Sequence, residues 1–116
     1  MDTNCIFCKI NVGEIPGDFV YRDDDTFVIR DIVPKAPVHL LVIPTVHVER
    51  VAELASEEMS IIAAMFRAAK EAVRIEGIVE RGYRLIVNQG EEGGQEVPHL
   101  HMHVLGGTHL RAMGLG

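Results

Sequence analysis

The chain has 116 residues, of which 47% are hydrophobic and 24% charged, with a net charge of −6. That is enough sequence for one domain with a real core and no staples, so residues 1–116 are read as a single domain. The acidic balance and the lack of a Lys/Arg run exclude a broad nucleic-acid surface, and no apolar run approaches the roughly 20 residues of a membrane span.

Residues 1–15 contain Asp2, Lys9 and Glu14 and no apolar core of a secretory signal. The protein is therefore expected in the cytoplasm, with both cysteines reduced. Cys5-Ile6-Phe7-Cys8 comes first. Two cysteines at this spacing suit a redox pair, half of a metal site, or two buried apolar thiols. Nothing precedes them that could supply the first strand of a thioredoxin-like unit, and two thiolates leave a tetrahedral metal two ligands short.

Gly13-Glu14-Ile15-Pro16-Gly17 reads as a turn. Phe19–Arg22 and Thr26–Ile32 read as strands around the acidic turn Asp23-Asp24-Asp25, which makes a hairpin. Pro34 and Pro37 force a loop. Val38–Pro44 is apolar on both faces apart from His39, so it is expected at the centre of a covered sheet. His47–Leu54 is a short helix or turn. Ser56 is placed as an N-cap, and a long helix should run to about Glu76 with Ile62, Met65, Phe66, Ala69 and Val73 as its buried stripe. Gly77 stops it. Tyr83–Asn88 is a fourth strand, and Gln89–Gln95 is a glycine-rich loop whose amides could approach a phosphate.

The last strand carries His99-Leu100-His101-Met102-His103-Val104. Side chains alternate across a strand, so the three histidines would share one face at about 6.6 Å spacing, with Leu100, Met102 and Val104 on the other. On a helix they would be scattered by about 200° steps. A row of imidazoles permits a metal site, in which His99, His101 and His103 would be ligands of a hydrolytic zinc. It also permits nucleophilic attack on phosphorus by a neutral ring. The element order, β-β-β, helix, β-β with turns between strands, predicts an α+β domain with a largely antiparallel sheet.

His99-Leu100-His101-Met102-His103-Val104-Leu105 matches the signature of the histidine triad (HIT) family, and the chain resembles that family over nearly its whole length. The resemblance includes Ile6–Ile10, Gly13–Pro16, Asp31-Ile32, Pro37–Pro44, Tyr83–Asn88 and Gly93–Gln95. The ending Val104-Leu105-Gly106-Gly107 is similar to the Hint branch, the purine nucleoside phosphoramidases. This resemblance implies a five-stranded antiparallel sheet with one long and one short helix, and a homodimer with a continuous ten-stranded sheet. It implies a purine nucleotide ligand and hydrolysis of nucleoside 5′-phosphoramidates, or of adenylated acyl groups, through a nucleotidyl-histidine. The alternatives are a dinucleoside polyphosphate hydrolase and a non-enzymatic nucleotide-binding or scaffolding protein.

By the same resemblance His101 would be the nucleophile, His103 a phosphate ligand, and His99 and His39 supporting histidines. Asp31 would bind ribose; Phe7, Ile10 and Ile32 would line the base pocket. Asn88, Gln95 and Val97 would surround the phosphate, with Glu96 where a Ser or Thr is frequent. No catalytic cofactor is implied. Some bacterial members with an early Cys-x-x-Cys bind structural zinc, and by position the ligands here would be Cys5, Cys8, His47 and His99. The C-terminal Thr108–Gly116 lacks the Trp-Pro-Pro-Gly ending of the animal enzymes.

Overall fold

A computed structural model describes residues 4–111. In chain order the elements are α1 (Ile6–Asn11), β1 (Phe19–Arg22), β2 (Thr26–Arg30), β3 (Val38–Pro44), α2 (Ser60–Ile75), β4 (Tyr83–Ile86) and β5 (Met102–Gly106). The five strands form one antiparallel sheet in the order β1-β2-β3-β5-β4. The α+β class and the antiparallel sheet are as expected. The turn between β1 and β2 is closed by Asp23, whose Oδ1 accepts the amides of Asp25 and Thr26 at 2.9 and 2.8 Å.

β3 lies between two partners and is buried from His39 to Pro44. Its alternation sends Leu40 and Val42 to one face and Leu41 and Ile43 to the other. The first face joins Val28, Met102 and Val104 under α2. The second joins Phe27 and Ile29 against Cys5, Phe7, Cys8 and Ile10 of the α1 region. Each face of the sheet is thus capped by a different helix, and the short α1 covers only part of its side.

Two local expectations are corrected. The long helix does not begin at Ser56. Residues Ser56–Glu58 form a separate 3₁₀ turn, closed by the Glu58 carboxylate on the Ala55 amide at 2.8 Å, and α2 starts at Ser60. Of the expected stripe Met65, Ala69 and Val73 are buried and Ile62 packs against the core, and only Phe66 is misplaced. Ala64, Met65, Ala68, Ala69, Ala72 and Val73 are buried, whereas Phe66 is 52% exposed. Alanines let the helix lie close to the sheet, and a phenylalanine in that row would hold it off. At the other end Gly77 takes φ +72°, its amide bonding Arg74 and that of Ile78 bonding Val73, so Ile78 folds back onto the core. The short helix is α1, which contains Cys8 and is capped by Cys5, while 47–54 holds only a 3₁₀ turn at Val51–Glu53. Among the described residues no helix is long and apolar enough to cross a membrane.

Candidate active site

The insertion of β5 between β3 and β4 brings two distant stretches side by side. The register sets His39 opposite Leu105 and Leu41 opposite His103. His39 and His103 are therefore diagonal neighbours on the face away from α2, with His39 Nε2 2.9 Å from His103 Nδ1. Next to α1 this face opens into a cleft of about 680 Å³. Its walls are Phe7, Asp31, Lys35, His39, Leu41, His101, His103 and Leu105, together with Arg84, Leu85, Ile86, Asn88, Gly94, Glu96 and Val97.

The three-histidine strand is corrected. Only His103 lies within β5, which begins at Met102. Continuing the β3–β5 register would bring Leu100 opposite Pro44, which has no amide hydrogen for another rung. The Leu100 amide instead donates to the Val48 carbonyl at 2.7 Å, and the Pro44 carbonyl accepts the His99 ring at 2.9 Å. His101 and His103 stay together, their rings 5.1 Å apart. His99 turns its ring the other way, to the cysteines. A catalytic zinc held by His99, His101 and His103 is therefore not what the geometry offers.

The hydrogen bonds assign the ring protons. The Lys35 amide donates to His39 Nδ1 at 3.0 Å, so the His39 proton sits on Nε2 and is given to His103 Nδ1. The His103 proton is then on Nε2. His101 Nδ1–H donates to the His99 carbonyl at 2.7 Å, which leaves a lone pair on its Nε2. His99 donates Nε2–H to Pro44 and keeps a lone pair on Nδ1. Burial favours the neutral form of His103 and His39: it pushes His103 down to about 4, helped by the neighbouring His101 and His39, and lowers His39 as well. His99 is pushed down to about 4, again chiefly by burial.

A second cluster lies behind the row. One donor atom from each of Cys5, Cys8, His47 and His99 falls within 4.8 Å of the others. Cys5 Sγ and Cys8 Sγ stand 3.3 and 3.7 Å from His99 Nδ1, Cys8 Sγ stands 3.3 Å from His47 Nδ1, and the two Nδ1 atoms are 3.2 Å apart. Two sulfurs and two imidazole nitrogens so converged could hold a metal ion. Asp31, His39 and His103 also converge, but His39 Nε2 carries the proton imposed by the Lys35 amide and gives it to His103, with the Asp31 carboxylate 3.4 Å away as a charge neighbour.

The other residues singled out from sequence divide. Asp31 lines the cleft, its Oδ2 3.4 Å from His39 Nε2. Asn88 lines it too, its amide tied to the Gly93 carbonyl at 2.8 Å. Gln95 does not line it: its side chain accepts the Gly90 amide at 2.8 Å and donates to the carbonyls of Glu49 and Val97 at 2.9 and 3.1 Å. In that loop Gly93 sits so close that an added Cβ would meet the Gln89 carbonyl oxygen at 2.2 Å. Ile10 is on the buried face of α1 and outside the cleft wall, and Ile32 is 93% exposed and also outside that wall. The C-terminal stretch from Ala112 falls outside the described residues. Lys35, Leu41, Arg84, Ile86 and Leu105 were not singled out, although counting back in twos from Asn88 reaches Ile86 and Arg84 on the same face.

The family model described as the HIT domain matches residues 12–110 of this chain. A purine nucleoside phosphoramidase of Escherichia coli K12 is 45% identical over 97% of this chain and 95% of its own length. Protein HitA of Neisseria gonorrhoeae is 43% identical over 89% and 95%. Among solved structures, a HIT family hydrolase from Legionella pneumophila superposes with a TM-score of 0.91 at 42% identity, covering 95% of this chain and 98% of that one. A histidine triad protein from Clostridium difficile gives 0.92 at 40% identity, covering 96% of both chains.

Proposed function

The chain belongs to the HIT domain family, and from that membership we propose that it is a hydrolase of purine nucleoside 5′-phosphoramidates with His101 as nucleophile. The observation that carries this reading is the His101 Nδ1–H bond to the His99 carbonyl at 2.7 Å. It leaves an unprotonated Nε2 on a ring that lines the cleft. The similarity to the Escherichia coli phosphoramidase supports the substrate class.

In the reaction, His101 Nε2 forms a bond to the α-phosphorus as the phosphorus–amine bond breaks, and the amine leaves with a proton taken from solvent, which the water that later cleaves the phosphorus–histidine bond gives back. The His99 carbonyl faces the Nδ1–H and stabilises the positive charge that grows on the ring. His103, neutral through burial, presents Nε2–H to a phosphate oxygen, and His39 keeps it in that tautomer. Asp31 takes the ribose and Phe7 one side of the base, with Ile10 and Ile32 flanking that end. Asn88, Val97 and Glu96 surround the phosphate and leaving group, and Gln95 serves by bracing their loop. Water then attacks the phosphorus, the phosphorus–histidine bond breaks, and the nucleoside monophosphate is released.

The cysteine cluster is proposed as a structural zinc site. Tetrahedral zinc with bonds of about 2.3 Å to sulfur and about 2.05 Å to nitrogen sets S and N ligands about 3.5 Å apart and two N ligands about 3.3 Å apart. The measured separations of 3.2–3.7 Å agree. His99 Nε2–H bonded to Pro44 fixes Nδ1 as the donor. Zinc here would tie α1 to the segment before β5. Both thiols must be reduced for this, which fits the cytoplasm.

The deciding experiment is intact mass after brief mixing with adenosine 5′-phosphoramidate. A nucleotidyl adduct is expected on the native chain and none on His101→Ala, which should also lose amine release while retaining its fold. Turnover persisting in His101→Ala would remove the nucleophile. Tight binding of AMP with neither adduct nor turnover would make this a binding protein.

A further inference from the structure

The Cys5–Cys8 segment takes no part in the proposed reaction, yet it reaches the nucleophile by two routes. One is bonded. Cys5 Sγ lies 3.3 Å from His99 Nδ1, and the backbone carbonyl of His99 receives His101 Nδ1–H at 2.7 Å. The other is packing. Phe7, between the cysteines, sets its ring edge-on to His99 at 5.7 Å and to His101 at 5.1 Å. His99 is 1% exposed and its far nitrogen is held by Pro44. The residue whose carbonyl aims His101 is thus clamped between Pro44 and the cysteines. The ring that flanks His101 rides on the helix those cysteines anchor.

We propose that Cys5, Cys8 and His47 are positioning residues for His101. With a metal ion held by the cluster, the His99 carbonyl and the Phe7 ring keep His101 in one tautomer and one orientation. Without it the nucleophile loses alignment more than the nucleotide loses its pocket. The kinetic consequence rests on the phosphoramidase reading; the effect on the His101 ring does not. Small misplacements of a reacting group are costly to rate, and such a loss appears in kcat rather than KM.

The full chain is stripped with a chelator and reloaded with zinc ion at fixed pH. The ring ¹⁵N signals of His101 and the turnover of adenosine 5′-phosphoramidate are then read with metal content and circular dichroism. The loaded form should give a single His101 tautomer protonated at Nδ1, and the stripped form should show exchange between tautomers. On stripping, kcat should fall about tenfold or more while KM changes by less than about threefold. Cys5→Ser with Cys8→Ser should behave as the stripped form, with no rescue by zinc. Unchanged His101 signals and kcat in a folded, metal-free chain would overturn the proposal, as would a loss confined to KM. If stripping unfolds the chain, Cys8→Ser in zinc, which keeps Cys5, His47 and His99, is read by the same two quantities. If no form turns over, the phosphoramidase reading has failed, and the His101 tautomer alone decides this one.

Discussion

His103 does its proposed work as a neutral donor, and its surroundings enforce that state. Burial, then the neighbouring His101 and His39, hold it down to about 4, and burial lowers His39 too. An unfolded histidine takes its proton near 6.5. Between 6.5 and about 4 the unfolded chain therefore binds protons that the folded chain refuses. Stability from His103 is full above 6.5 and falls as pH drops through that window, and the lowered His39 adds to it in the same direction. The urea midpoint should decline from pH 7 to pH 4.5, and His103→Asn should flatten part of that slope. An equal slope in the variant would assign the effect to other groups. These histidines were legible in sequence because alternation and residue type both mark them. Gln95 could be picked out by type, but nothing in the sequence says that its amide turns inward to Gly90, Glu49 and Val97. The exposure of Ile32 likewise depends on how the loop after β2 leaves the sheet.

Secondary elements were readable where one period dominates. β3 is such a case, with an apolar run and no polar interruption but His39. α2 was harder, because Phe66 and the alanines compete for the buried stripe, and only the distance to the sheet settles that contest for the alanines. β5 was lengthened by the same alternation that made it visible, since no local signal says that its partner runs out at Pro44. That end of the sheet has a further consequence. Thr26 faces Pro44 in the β2–β3 register, is fully buried, and its hydroxyl has no partner among the described residues. A buried hydroxyl without a bond costs about 1–3 kcal/mol. Thr26→Val keeps the branched shape of the strand residue and should stabilise the protein by about 1 kcal/mol in urea unfolding. A loss of that size would mean that the hydroxyl is satisfied in solution.

At the scale of the whole molecule, the sheet has two margins, β1 and β4. The β4 margin adjoins the site, since Arg84 and Ile86 line the cleft. Tyr83 and Val87 are exposed at this margin. An edge strand with apolar neighbours is a template for another strand. The self-complementary solution is a twofold contact in which β4 meets the β4 of a second copy, so that five strands become ten. This is the assembly that family resemblance implies, and it would set two clefts near one axis. The native chain should sediment at twice its chain mass at micromolar concentration. Val87→Asp places a charge beside the strand edge, where two copies would bring like charges together, and should shift the protein to monomer with its fold retained. Because β4 carries two cleft residues, monomers should also lose part of their turnover, with KM rising as Arg84 and Ile86 lose their support. A native chain that stays monomeric at tens of micromolar would rule out the ten-stranded assembly. Val87→Asp that remains dimeric would move the contact to the β1 margin, far from the cleft, and turnover should then be unaffected by assembly.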